Sequence, residues 1–120
     1  MHEFSIAISI IDAVEFEAKK VDANTITNLT LDIGTMSGIE FYALDTAMEM
    51  EIKNTILDKT KIIVNKVQAT AKCIDCSHNF EIFHITDACP KCNGFFHEII
   101  RGKELKIKSM QILVKCQHNQ

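Results

Sequence analysis

The stretch from Cys73 to Cys92, CIDCSHNFEIFHITDACPKC, constrains this chain more than any other. It holds two CxxC pairs with twelve residues between the second and third cysteines. A tight turn brings sulfurs three positions apart to one side, and two such turns close a tetrahedron of four thiolates, the geometry of structural zinc. The separation falls a little short of the roughly fifteen to twenty residues usual for this pattern. It still leaves room for a short hairpin between the turns. The segment CPKCNG, residues 89–94, adds Pro90, which presets a backbone angle, and Gly94, which permits a positive φ. Two disulfides are the competing account, and the paired spacing without a secretory context favours metal. A redox dithiol needs one CxxC at a helix start beside a βαβ pattern, so two pairs argue against it. Four sulfurs fill the coordination sphere, which makes the expected zinc structural and not catalytic.

A ribbon of about thirty residues cannot build a core alone, so the metal must stabilise it. The whole chain has 120 residues, 47% of them hydrophobic, enough for one small domain with a metal-pinned insert. Formal net charge is −3. Between Cys73 and Ile100 one basic residue, Lys91, stands against Asp75, Glu81, Asp87 and Glu98. Nucleic-acid binding needs Lys and Arg to displace phosphate counterions, so this ribbon has the wrong sign for it. No apolar run is long enough to span a bilayer. The N-terminal run Ile6 to Ile11 is interrupted by Ser9 and follows no basic region, so no targeting segment is expected. Reduced metal-binding cysteines then place the protein in the cytoplasm.

The remaining elements follow from periodicity. Residues 3–20 predict an amphipathic helix with Phe4, Ala7, Ile8, Ile11, Val14, Ala18 and Val21 on its apolar side. Residues 26–33 alternate as a half-buried strand that Gly34 ends. Ser37 and Glu40 have capping-box spacing ahead of a second helix at 38–56, with Phe41, Leu44, Met48 and Ile52 buried. Residues 61–72 predict a strand whose apolar phase changes midway, which a bulge near Asn65 and Lys66 would reconcile. GFFHEII gives a returning ribbon strand and 103–113 a last strand. The expected fold is α+β: a small mixed three-stranded sheet with two helices on one face, plus an inserted zinc-ribbon subdomain. Its first two strands should be parallel, and the strands flanking the ribbon should pair as antiparallel neighbours. The domains are then 1–72 with 101–115, and the ribbon 73–100.

The first three residues, Met1, His2 and Glu3, form the other informative stretch. An imidazole at position two, the terminal amine of a retained Met1 and a deprotonated backbone amide can chelate one ion. Nickel(II) accepts such nitrogen ligands. A solvated helix terminus is the simpler account of the same residues.

At this point the chain resembles the HypA/HybF family of hydrogenase nickel-incorporation proteins. The matching features are MHEFSIAISII, the strand ending DIG, Ser37 before the next helix, the paired CxxC motifs and the closing GKELKIKSMQI. They span nearly the whole chain. The resemblance implies a nickel metallochaperone for [NiFe]-hydrogenase maturation, with nickel as cargo and zinc as structural cofactor. It makes His2 the nickel ligand, with Met1 as the amine donor and Glu3 contributing its amide or carboxylate. Glu40 matches a position where some relatives place a carboxylate near nickel, and a helix cap accounts for it equally well. Cys73, Cys76, Cys89 and Cys92 match the zinc ligands. Gln111 stands where many relatives carry an acid.

The implied partners are a HypB-like maturation GTPase, which would dock near the nickel end, and the hydrogenase large subunit. Neither nucleic acid nor membrane is among them, and a homodimer stays open. No Ser/His/Asp set and no phosphate loop occur, so the chain is not expected to be an enzyme. His78 is expected to support a zinc-bound sulfur from the second layer. His84 and His97 should be exposed, and Cys116 and His118 fall in a polar tail. A zinc-ribbon adaptor or a nucleic-acid module, each without a nickel role, is the alternative function.

Overall fold

The computed structural model describes residues 2–114. Helix α1 spans His2–Lys20 and α2 spans Phe41–Glu51. The strands are β1 (Ala23–Gly34), β2 (Lys61–Val67), β3 (Thr70–Cys73), β4 (Asn79–Glu81), β5 (His97–Arg101) and β6 (Leu105–Val114). They form two three-stranded sheets, ordered β2-β1-β6 and β4-β3-β5. The α+β class with a ribbon-like insert is therefore what the chain adopts.

Helix α1 buries Ala7, Ile10, Ile11, Val14 and Ala18. The expected stripe differs at its edges: Ile10 is inside, whereas Ile8 and Val21 are exposed. Three residues, Val14, Ala18 and Ile11, already define the buried line, and Ile10 lies one step round the helix on the side nearer to it than Ile8 does. The helix stops at Asp22, whose φ of 51° lies in the left-handed region. Helix α2 is shorter than 38–56. After its C-cap Ile52, Asn54 turns to a φ of 65°, and the Thr55 hydroxyl donates back to the Ile52 carbonyl at 2.6 Å. Thr55 also accepts from Leu57 N–H, so side-chain bonds replace the next helical turn. Helices α1 and α2 contact one another.

Strand β1 sits in the middle of its sheet. It runs parallel to β2: Thr60 donates to the Ile26 carbonyl, and Thr35 N–H donates to the Val67 carbonyl, so positions advance together. It runs antiparallel to β6: the Thr27 hydroxyl donates to Gln111, Gly34 N–H to Glu104 and Met36 N–H to Gly102, so one index falls as the other rises. The mixed sheet was expected, but the strand order is a correction. Strands β2 and β6, on either side of the ribbon in sequence, do not pair; β1 lies between them.

The strand expected over 61–72 is also two strands. The break falls at Gln68 and Ala69, not at Asn65 and Lys66. The Gln68 amide donates to the carbonyls of Ala69 and Ile82, and the Thr35 hydroxyl accepts from Ala69 N–H at 2.9 Å. These bonds satisfy the backbone where it leaves one sheet for the other.

The described residues divide into two compact units, residues 2–31, 40–63 and 107–114, and residues 32–39 and 64–106. The second includes β3 and the chain around Gly34 and Gly102. Its buried cluster is Ala69, Ala71, Cys73, Phe80, Ile82 and Cys89, with Met36, Cys76 and Ile99 partly buried against it. No helix among the described residues is long and apolar enough to cross a membrane.

Candidate metal centre

The two CxxC turns have one backbone design. Ser77 N–H donates to the Cys73 carbonyl at 2.9 Å, and Asn93 N–H donates to the Cys89 carbonyl at 2.8 Å. Cys73 N–H donates to His78, and Cys89 N–H to Gly94, five residues on in each case. Ser77 and Asn93 have φ near +64° and +63°. Asn tolerates that region and the short Ser side chain accepts it at modest cost. The positive φ anticipated for Gly94 therefore falls on Asn93. Gly94 is needed for room: a Cβ there would lie 2.6 Å from Asp75 Oδ2 and 3.3 Å from Cys92 Sγ.

The four sulfurs converge. Cys73, Cys76, Cys89 and Cys92 offer Sγ atoms all within 4.8 Å of one another. Cys73 Sγ lies 3.5 Å from Cys92 Sγ, and Cys76 Sγ lies 3.7 Å from Cys89 Sγ. A tetrahedron with zinc–sulfur bonds of about 2.3 Å has edges of about 3.8 Å, close to these two separations. All four cysteines are free thiols and none is in a disulfide. Burial pushes the Cys89 thiol up, but N–H groups of Cys92 and Lys91 and the neighbouring thiols outweigh it and bring the pKa to about 7. At Cys92 the Gly94 N–H pulls downward, yet sharing protons with Cys73 and Cys76 lifts the thiol to about 12. A packed thiol cluster thus resists losing all its protons, and a dication in their place removes the conflict.

The histidines of the ribbon do other work. The His78 ring stacks on Phe80, with centroids 6.4 Å apart and planes 12° apart. Its backbone carbonyl, not its imidazole, serves the first turn. His84 lies 3.7 Å from Asp87. His97, expected to be exposed, is half-buried, with Nε2 3.0 Å from the Ile85 carbonyl and its ring edge-on to Phe80.

At the other candidate site, Met1 lies outside the described residues, as do Cys116 and His118. His2 opens α1 and is exposed. Glu3 Oε2 accepts the backbone N–H of Glu40 at 3.1 Å. That bond, first among its causes, holds the Glu3 carboxyl below its usual range. Glu40 caps α2: Oε2 accepts from Tyr42 N–H at 3.2 Å and Oε1 from Ala43 N–H at 3.0 Å. The Ser37 hydroxyl instead accepts from Ile39 N–H, so the anticipated Ser37 cap is corrected to Glu40. The Glu3–Glu40 bond thus joins the start of one helix to the start of the other.

Comparison with known proteins matches residues 1–112 to the family described as HypA, hydrogenase/urease nickel incorporation, metallochaperone. The chain belongs to the HypA family. It is 38% identical over 112 residues to a hydrogenase maturation factor HypA of Parabacteroides distasonis, covering 93% of this chain and 97% of that protein. A Chlorobium phaeobacteroides factor of the same name is 38% identical over 113 residues, covering 93% and 99%. Among solved structures, the nickel metallochaperone HypA from Helicobacter pylori aligns with a TM-score of 0.66 at 26% identity, covering 94% of this chain and 98% of that one. A further HypA solution structure gives 0.69, also at 26% identity, over 96% and 98%.

Several supports of this HypA fold escaped the sequence reading. Gly34 and Gly102 meet so closely that a Cβ on Gly34 would fall on the Gly102 carbonyl, and one on Gly102 would fall on Ala69. Glu104 Oε1 accepts Gly102 N–H at 2.6 Å. The Asp87 carboxylate accepts N–H groups of Phe83 and His84 at 2.8 and 3.0 Å and closes the loop after β4. The glycines of DIG and GKEL carried a signal as possible close approaches. Nothing in the sequence tied Asp87 to its loop beyond the general habit of Asp in turns.

Proposed function

We propose that this protein delivers Ni(II) during [NiFe]-hydrogenase maturation and carries one structural zinc on Cys73, Cys76, Cys89 and Cys92. Membership of the HypA family, together with an exposed His2 beside a pinned Glu3, is the observation that supports this reading most. When bound, zinc supplies four bonds that tie the two turns together. The chain's own cysteine turns hold the thiols in place, and no open position is left for chemistry.

Nickel is cargo. A delivery site should be exposed, few-liganded and easily emptied, unlike a storage cage. The His2 imidazole, the Met1 amine and the backbone nitrogens before Glu3 have that character. Glu3 is held by Glu40, so Glu40 enters as a neighbour that positions Glu3, and as a further candidate ligand once its cap opens. The functional division then follows 1–72 with 101–115 for nickel and 73–100 for zinc. Nickel ligands must shed protons, so binding weakens as pH falls. The proposed setting is the cytoplasm. The proposed partners are a nickel-binding GTPase, which supplies the hydrolysis, and the hydrogenase large subunit. The GTPase docks at the nickel end, because transfer without release needs both ligand sets within reach of one ion. Cross-links confined to residues 77–88 would overturn that placement.

The deciding experiment is nickel calorimetry above neutral pH on untagged, N-terminally tagged and His2→Ala proteins. The substitution abolishes specific binding with zinc content and fold unchanged, and the tag weakens binding at least tenfold by turning the amine into an amide. Equal affinity in all three would remove the N-terminus from the mechanism and favour a zinc adaptor without a nickel role.

A further inference from the structure

Strand β5 is an edge of its sheet, and its free side is furnished. Its partner β3 sets Lys72 opposite Glu98, Cys73 opposite His97 and Ala71 opposite Ile99. Ile74 N–H bonds to the Phe96 carbonyl, so Phe96 turns its backbone polar groups toward β3. By alternation Glu98 does the same, while His97 and Ile99 turn theirs outward. The register then slips: Thr70 faces Arg101, and Ile100 is left without an opposite residue. A bulge of this kind re-aims a side chain. Ile100 is 50% exposed and Phe96 is 73% exposed. Beside Ile100 lies a recess of about 340 Å³ lined by Ile99, Ile100, Arg101, Lys103 and Glu104. Apolar side chains and a recess thus flank a row of outward N–H and C=O groups, and at one end Arg101 and Lys103 stand with a single anion, Glu104, whose carboxylate already accepts Gly102 N–H.

We infer that the free edge of β5 takes up an extended segment of a partner protein as an added strand, with apolar alternate residues and a carboxylate at the Arg101–Lys103 end. Main-chain bonds to His97 and Ile99 supply the common affinity, and the recess and the cations select the side chains. A second copy fits less well. Antiparallel self-pairing about Ile99 would set Arg101 opposite His97 and bring no anion to Arg101 or Lys103. This inference is independent of the nickel reading, since it uses no residue of the N-terminus.

The probe is an acetylated peptide, Val-Thr-Val-Thr-Ile-Asp-Glu amide, titrated into the zinc-loaded full chain and followed by amide NMR. Two control peptides replace Asp-Glu by Lys-Lys or carry N-methyl groups on alternate amides. The acidic peptide shifts His97 and Ile99 and slows their hydrogen exchange. The Lys-Lys peptide binds at least tenfold more weakly, and the N-methylated one does not bind. Arg101→Glu with Lys103→Glu reverses the preference between the first two. The inference fails if the acidic peptide leaves His97 and Ile99 unchanged or if the N-methylated peptide binds equally. It also fails if these signals move with protein concentration alone, which would mark a second copy as the occupant.

Discussion

Glu104 shows how one carboxylate is shaped by the backbone around it. Its own N–H, then that of Gly102, hold the group below the ordinary 4.5. A depressed folded pKa contributes stability above the unfolded value and loses it as pH falls through the folded one. Glu104→Gln therefore lowers stability at neutral pH, and its gap from the native protein narrows on acidification below about 4.5. Urea melts of both proteins at a series of pH values measure this, and a constant gap would contradict it. Single residues were unevenly legible in the sequence. The four cysteines declared themselves by spacing, since two turns of fixed length leave little choice. Glu40 was legible as a helix cap but not as the N-cap itself, because a glutamate three residues after a serine reads as the closing half of a capping box. The longer side chain instead reaches both Tyr42 and Ala43 N–H groups and does the capping itself.

At the scale of elements, periodicity located both helices and most strands, but not how the chain changes sheet. A parity change between Val64 and Val67 fits a bulge or a strand that ends and restarts, and local sequence does not separate them. The choice is made by Thr35, whose hydroxyl takes up Ala69 N–H from elsewhere in the chain, and by Gln68 at the break itself, whose amide reaches the distant Ile82 carbonyl. Gly102 shares that corner, with a φ of +113° and no space for a Cβ beside Ala69. Gly102→Ala combines a disfavoured backbone angle with a clash and is expected to cost about 2 kcal/mol or more. Gly38→Ala, at φ +83° with nothing within 4 Å, should cost less. Chemical denaturation of the pair checks the order, and equal losses would remove the clash from the account.

For the whole molecule, the strand order was the least legible feature. It depends on pairings such as Gly34 with Glu104 and Thr60 with Ile26, which join distant positions and leave no local trace. The division into two units has a consequence for metal loss. The second unit has a small core of mostly short side chains around two buried cysteines, whereas α1 and α2 bury larger aliphatic groups without metal. Cys73→Ser or Cys89→Ser, or exhaustive chelation, should unfold residues 64–106 and leave most of the helical circular dichroism in place. Metal analysis of the native protein should give about one zinc per chain. A single concerted melt of helix and ribbon signals after zinc removal would show that the two units stand or fall together.

The bond from Glu40 N–H to the Glu3 carboxylate makes one amide a reporter of what happens at the chain's beginning. If an arriving ion draws Glu3 toward itself, that N–H loses its acceptor and its proton exchanges faster with water. The amide resonance of Glu40 should then move in step with nickel occupancy and stay still in His2→Ala. A docked protein that gripped the start of α2 would feel the same event through the same atom, so cargo and vacancy would present different faces to it.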